Sequence, residues 1–187
     1  MLGRRVARQA IELGLPVIVV GSNSLPYRGM DLRLVGDVHR GYGPLSGLHA
    51  ALREAATPWV YLLACDMPFM GKAWLESLIE LAEGEGRGKR AIAAERHGNI
   101  EPFHALYARS LLPELDELFE KRGLEPKRYS MTSFMRGDRG LIVPEAVAAS
   151  FCPGWTIFRG INNAEELAAL SSIQGLGTEP ALPSGAP

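Results

Sequence analysis

The 187-residue sequence lacks the features that mark several large classes of protein. It contains only two cysteines, Cys65 and Cys152, too few for a disulfide framework or a four-cysteine zinc site. Lys plus Arg total 20 and Asp plus Glu total 21, so there is no basic excess of the kind expected in a nucleic-acid-binding protein. No apolar run reaches membrane-spanning length, and no apolar signal core follows the arginine-bearing start at residues 1–9. We therefore expect a soluble cytoplasmic protein without a nucleic-acid or membrane partner.

The four histidines also lack the H-E-x-x-H spacing of a zinc hydrolase. Cys65 follows an apolar run, and we interpret it as an inert core thiol. What is present is ordinary for a globular domain, with 47% hydrophobic and 22% charged residues. Large apolar residues become scarce from Ser171 onward. We therefore predict one domain over residues 1–170 and a disordered tail or linker over residues 171–187.

Strand and helix patterns alternate through residues 17–83. Val17–Val20 and Trp59–Cys65 are apolar runs that suit strands buried on both faces, as in a parallel sheet. Pro44 suits the first turn of a helix that runs to about Ala56. This alternation predicts a three-layer α/β fold with a mostly parallel sheet.

The second half of the chain gives shorter patterns. Leu111–Phe119 predicts an amphipathic helix, and Asn163 can cap a last helix. Four further segments are predicted strands, namely Ala91–Ala94, Phe103–Tyr107, Leu141–Val143 and Trp155–Phe158. We expect large apolar side chains to form the core, among them Trp59, Trp74, Leu118 and Phe119.

Ligands of α/β proteins bind outside the carboxyl ends of the strands. Asp66 directly follows the predicted strand Trp59–Cys65. Its carboxylate could hold Mg²⁺, which often takes one or two protein carboxylates together with substrate phosphates. An equally simple interpretation is that Asp66 accepts backbone N–H bonds and caps the next turn. The residues alone leave both interpretations open.

The stretch from Asp37 to Gly47 is rich in glycine and also lies beyond a predicted strand. Gly43 and Pro44 would place the free N–H groups of a helix start towards the loop, which favours an anion. Gly47, one turn into that helix, allows close approach of a ligand or of the sheet. An ordinary glycine turn is the alternative. Asn23 follows Val17–Val20 in the same way and is also typical of a tight turn.

Taken together, the blocks V-I-V-V-G-S-N, G-D-V-H-R-G-Y-G-P-L-S-G-L and W-V-Y-L-L-A-C-D-M-P-F-M resemble the molybdenum cofactor guanylyltransferase family. The later segments E-P-F-H-A-L-Y and F-R-G-I-N-N-A-E-E-L are also similar to it, and the resemblance covers about residues 1–170. It implies a Rossmann-like nucleotidyltransferase fold. It also implies transfer of GMP from GTP to molybdopterin or molybdenum cofactor, with release of pyrophosphate.

The resemblance also assigns residues. Asp66 matches the Mg²⁺ ligand and the catalytic position, and Asn162 matches an asparagine near the pterin. Gly160 stands where the family has a second asparagine, and Arg136 matches a basic residue of the pterin half. The residues that match the nucleotide site are Asn23, Asp37, Gly43, Pro44, Gly47 and Asp66.

This sequence departs from the family at its front. Family members open with a strand and a loop like L-A-G-G-x-S-x-R-M-G-x-D-K, whereas this sequence begins at the following helix. The absent strand would lie in the middle of the sheet, and its loss leaves two neighbours with unpaired backbone groups. We therefore expect an N-terminally truncated domain with little or no GTP turnover.

Two alternatives remain. The protein could be a cytidylyltransferase or a related sugar or pterin nucleotidyltransferase, because base choice is read largely by the absent loop. It could instead be a noncatalytic relative that binds the cofactor or a partner, such as an acceptor molybdoenzyme or another cofactor-biosynthesis protein.

Overall fold

Strands and helices alternate along the chain in the computed structural model, which describes residues 2–36, 39, 42–120, 130–161 and 165–166. The strands are β1 (Ile18–Val20), β2 (Arg33–Val35), β3 (Trp59–Leu62), β4 (Ala91–Arg96), β5 (Asn99–Ile100), β6 (Ala105–Ala108) and β7 (Gly140–Val143). The α-helices are α1 (Leu2–Glu12), α2 (Pro44–Glu54), α3 (Lys72–Glu83), α4 (Leu112–Glu120) and α5 (Glu145–Phe151). Short 3-10 helices span Leu25–Tyr27, Arg109–Leu111, Met131–Met135, Gly137–Arg139 and Pro153–Phe158.

The strands form two sheets. One contains only β1 and β2, which are parallel, and the other contains β3, β6, β4, β5 and β7. In the larger sheet β6 runs antiparallel between β3 and β4, while β7 is parallel to β4. The predicted α/β class is confirmed, but the larger sheet is mixed because the hairpins around β5 and β6 reverse the chain.

Two apolar clusters cover the two faces of the larger sheet. Side chains alternate along β4, so that Ala91 and Ala93 point into one cluster and Ile92 and Ala94 into the other. Leucines of α2 and α4 complete the first cluster, and Trp74 and Leu78 of α3 belong to the second. The result is the predicted arrangement of helix, sheet and helix layers.

The two sheets do not pair with each other. Among the described residues, β1 pairs with β2 alone, and β3 pairs on one side only, with β6. Helix α2 contacts both β1 and β3, so the two strands rest on the same helix. All residues of β1 and β3 are half-buried. Within the described ranges, β1 and β3 therefore each have one edge without strand pairing, and both strands pack on α2.

Two predicted segments differ from the structure. Trp155–Phe158 is not a strand but belongs to the 3-10 segment Pro153–Phe158, which is kinked at Gly154 and Trp155. Their φ values of 67° and 55° are neither extended nor helical. Strand β3 ends at Leu62 rather than Cys65. Helix α5 had no sequence prediction. Within the part of the chain that the structure describes, no helix is long and apolar enough to cross a membrane.

Candidate active site

Asp66 lies four residues beyond the carboxyl end of β3. It lies within a turn that is closed by the Met67 amide, which donates to the Ala64 carbonyl at 3.1 Å. The main-chain oxygen of Asp66 accepts a hydrogen bond of 2.8 Å from the amide of Ile161. In the described residues its carboxylate has no hydrogen bond or ion pair. The interpretation of Asp66 as a side-chain cap therefore has no support in the structure, and the carboxylate is left available for a ligand.

Gly160 borders this carboxylate. A Cβ at Gly160 would lie 3.6 Å from Oδ2 of Asp66, so a larger side chain there would cover the carboxylate. The segment that the sequence assigned to the pterin side thus reaches Asp66 through its glycine, a contact that sequence reasoning did not anticipate. Asn162 and Asn163 follow it but lie outside the described residues.

Helix α1 supports the loop that contains Asp66. Nε2 of Gln9 donates to the Pro68 carbonyl at 2.8 Å, and Oε1 accepts from the Met70 amide at 3.2 Å. At its other end, a Cβ at Gly3 would lie 3.6 Å from Cβ of Cys65. Cys65 is exposed, so the prediction of a core thiol was wrong. Burial, together with the nearby Cys65 thiol, raises the pKa of Tyr27 beside it.

The start of α2 has the backbone that the glycine-rich segment predicted. Gly43 has φ 57° and ψ −139°, which a residue with a side chain rarely adopts, and Pro44 follows at the first helical position. No described atom lies within 4 Å of a Cβ at Gly47, so that side of the helix is open. Asp37 lies outside the described residues.

Rings from α2 and α4 hold the described part of this loop. The ring of His39 stacks on Phe119, with centroids 4.0 Å apart and planes at 3°. The buried His49 places Nε2 2.8 Å from Oδ1 of Asp116 on α4, and the Ser46 hydroxyl accepts from the His39 amide at 3.2 Å. Packing against α4 therefore fixes the approach of the loop to α2.

The two remaining assigned residues stand apart from Asp66. Oδ1 of Asn23 accepts a 3.1 Å bond from the Leu25 amide, which is a turn role, and no contact joins it to Asp66. Arg136 is exposed and precedes β7, whose first residue, Gly140, is level with Ala91 at the start of β4. Through Tyr107 this level corresponds to Val60 near the amino end of β3, about 7 Å of strand from Leu62 at roughly 3.3 Å per residue. The structure thus places Arg136 near the amino end of β3, whereas Asp66 follows its carboxyl end.

The protein would supply a divalent cation at this site with one carboxylate ligand, that of Asp66. No group of three or more His, Cys, Asp or Glu side chains in the described ranges could hold a metal ion. Mg²⁺ does not need one, since it keeps several waters and takes its other ligands from phosphates. A carboxylate without a side-chain partner among the described residues, bordered by a glycine rather than by a larger side chain, suits that mode of binding.

Comparison with solved structures defines the class to which this fold belongs. Molybdopterin-guanine dinucleotide biosynthesis protein A from Archaeoglobus fulgidus aligns with a TM-score of 0.66 and 24% identity, covering 93% of this chain and 85% of that one. The 4-diphosphocytidyl-2C-methyl-D-erythritol synthase from Anaerococcus prevotii aligns with a TM-score of 0.53 and 9% identity, covering 92% and 86%. At these identities the likeness shows the fold alone, which is the α/β fold of nucleotidyltransferases.

Sequence comparison identifies the family. A family model described as a MobA-like NTP transferase domain matches residues 1–135. The molybdenum cofactor guanylyltransferase of Syntrophotalea carbinolica is 31% identical over 150 residues, which are 80% of this chain and 68% of that protein. A probable molybdenum cofactor guanylyltransferase of Peptoclostridium acidaminophilum is 29% identical over 160 residues, covering 84% and 70%. The chain therefore belongs to the MobA-like NTP transferases, a family of nucleotidyltransferase enzymes.

Proposed function

We propose that this protein transfers GMP from GTP to the terminal phosphate of molybdopterin or of the molybdenum cofactor. Membership of the MobA-like family supports the reaction class, and the names of its relatives support the substrates. The observation on which the proposal mainly rests is the Asp66 carboxylate. It follows β3, has no partner among the described side chains, and borders Gly160, where a Cβ would lie 3.6 Å from its Oδ2.

The reaction needs positioning and charge neutralisation more than covalent catalysis. An oxygen of the acceptor phosphate forms a bond to the α-phosphorus of GTP, and the bond from that phosphorus to the bridging oxygen breaks. Pyrophosphate leaves with the electron pair. Mg²⁺, when bound, would neutralise phosphate charge, and Asp66 would hold it.

The other assigned residues have separate roles in this proposal. Gly43 and Pro44 would present the start of α2 to the nucleotide, and Gly47 would leave room beside it. Asp37 and Asn23 would complete the nucleotide side, while Asn162 would lie on the pterin side. We leave Arg136 out of the proposed site, because it lies near the amino end of β3 and Asp66 follows the carboxyl end.

Mg²⁺-dependent GTP binding by the 187-residue chain tests the role of Asp66. We expect Asp66→Asn to weaken binding in the presence of Mg²⁺ by at least about tenfold, through loss of the cation ligand, and to leave binding in EDTA unchanged. Asp138→Asn is the matched control, because Asp138 is exposed and lies in the 3-10 helix that precedes β7. Equal affinity in the two variants, or unfolding of Asp66→Asn, would show that Asp66 is not a metal ligand.

Nucleotide choice and turnover need their own measurements. Competition between GTP and CTP for the same site separates the guanylyltransferase from a cytidylyltransferase. We expect GTP to compete better and pyrophosphate release with molybdopterin to be slow. Capture of a molybdoenzyme without any nucleotide binding would instead favour a noncatalytic, partner-binding role.

A further inference from the structure

Three residues other than glycine have a positive φ in the described ranges, and the ring of Phe158 joins their rings into one row. They are His97, His104 and Trp155, with φ values of 50°, 51° and 55°. The ring of His97 lies 6.4 Å from Trp155, Trp155 lies 5.5 Å from Phe158, and Phe158 lies 5.3 Å from His104. Backbone of this kind persists only where its surroundings enforce it, and such residues concentrate at functional sites.

His104 is the buried end of the row. It has no exposed surface, and its Nδ1 lies 2.8 Å from the hydroxyl of Tyr61 on β3. Its amide donates to the Leu62 carbonyl at 2.9 Å, and its own carbonyl accepts a 2.8 Å bond from the indole N–H of Trp74. Nε2 makes no hydrogen bond of good geometry in the part of the chain that is described, although the backbone of Ile157 lies close enough to favour the protonated ring.

The surroundings keep both ring partners uncharged. Burial lowers the pKa of His104 to about 4, and the backbone of Ile157 opposes that shift only in part. Burial, with a smaller contribution from Cys152, raises the pKa of Tyr61, so its hydroxyl stays protonated and can donate a hydrogen bond to Nδ1. When Tyr61 is the donor, the proton of the neutral imidazole is on Nε2.

The same ring packs against the segment that reaches Asp66. Phe158 contacts His104, and three residues later the Ile161 amide donates to the main-chain oxygen of Asp66 at 2.8 Å. Between them lies Gly160, next to the Asp66 carboxylate. His104 therefore touches both structures that converge on Asp66, namely strand β3 through Tyr61 and the Ile157–Ile161 segment through Phe158.

We propose that His104 is a positioning residue whose imidazole holds the Ile157–Ile161 segment against β3, so that Gly160 stays beside the Asp66 carboxylate. It would not touch a substrate. The functional consequence rests on the proposed function, because it assumes that Asp66 binds the cation. The positional consequence does not depend on that assumption and can be measured by itself.

Hydrogen exchange of the Ile161 amide, followed by NMR, tests the positioning. His104→Phe keeps an aromatic ring but removes the acceptor for Tyr61. We expect it to speed exchange of the Ile161 amide at least about tenfold more than it speeds exchange of the Ala108 amide, which donates to Arg90 at 2.8 Å. Leu111→Ala is the matched control, because Leu111 is fully buried in the other apolar cluster. It should affect the two amides alike.

A milder variant guards against loss of the fold. Tyr61→Phe keeps the ring and leaves Nδ1 without its donor, so the same selective exchange at Ile161 is expected with a smaller factor. If neither variant speeds Ile161 exchange more than Leu111→Ala does, His104 is only a core residue and the proposal fails.

GTP binding in Mg²⁺ then separates the two proposals. We expect His104→Phe to weaken it about three- to tenfold, and to have no further effect when Asp66→Asn is already present. Selective exchange at Ile161 with unchanged GTP affinity would overturn the functional part of the proposal, provided that Asp66→Asn alone weakens binding. If Asp66→Asn has no effect, the proposed function fails, while the exchange data still decide whether His104 positions the segment.

Discussion

Strands β1 and β4 differ in burial although both are apolar. Every residue of Ala91–Ala94 in β4 is fully buried, whereas Ile18–Val20 in β1 is half-buried throughout. Strand β4 has strands on both edges and an apolar cluster on each face. Among the described residues, β1 has one neighbouring strand. An apolar run therefore predicts that a strand forms, but its neighbours decide how deeply it is buried.

The contrast extends to the site. In the larger sheet, Asp66 follows β3 and His104 immediately precedes β6. In the smaller sheet, the exposed Asn23 follows β1. Side chains around the larger sheet are held by several partners, as Trp74 shows with its buried indole hydrogen-bonded to His104. We expect substitutions there to cost more stability than equivalent ones in β1 or at the free edge of β3.

The largest difference should come from a pair of tryptophans. Trp74 is 0% exposed, while Trp59 at the free edge of β3 is half-buried. Trp74→Ala should lower the free energy of unfolding by about 3–5 kcal/mol, because it opens a cavity and removes the donor to His104. Trp59→Ala should cost clearly less. Chemical denaturation of both variants measures the difference, and equal losses would show that the edge of β3 is covered.

A pH titration should give the next largest effect. His104 has a pKa of about 4 in the folded chain and an ordinary value of 6.5 when unfolded, so the unfolded chain binds the proton first. The stability conferred by the neutral ring is complete above about pH 6.5 and is lost as the pH falls towards 4. The total is roughly 3 kcal/mol, at 1.36 kcal/mol for each unit of pKa shift.

The control for this titration is His104→Asn. Asparagine tolerates a positive φ and can accept the Tyr61 hydroxyl, but it does not titrate. The difference in unfolding free energy between the two proteins should therefore change between pH 6.5 and 4, while contributions from carboxylates cancel. A constant difference over that range would mean that the pKa of His104 is the same in the folded and unfolded chains.

Much of this fold can be predicted from local sequence pattern. Pro44 at the start of α2 and the apolar runs of β1 and β3 identify elements that the structure contains. The main failure is Trp155–Phe158, because the positive φ values of Gly154 and Trp155 kink a segment whose apolar and β-branched residues are typical of a strand. The spacing of apolar residues in the sequence cannot reveal a positive φ at Trp155. The ring of Trp155 packs against Arg96 and Phe158, and local sequence does not encode those contacts.

The candidate site was predictable only in part. Asp66 follows from its place after a strand, and Gly43 from its need for an unusual backbone. The contact between Asp66 and Gly160 joins residues that are far apart in sequence, and no local pattern encodes it. His104 has the same difficulty, because a lone histidine in an apolar run shows neither its burial nor its partner Tyr61.

The smallest expected effect is also the sharpest test of the comparison between β1 and β4. Ile92→Val and Ile18→Val remove the same methylene from the two strands. Ile92 is fully buried, so its loss should cost about 0.5–1.5 kcal/mol, whereas the half-buried Ile18 should cost well under 0.5 kcal/mol. Urea denaturation with a shared m value resolves a difference of this size when the variants are measured together. Equal costs would mean that β1 is packed as tightly as β4 although it has one neighbouring strand among the described residues.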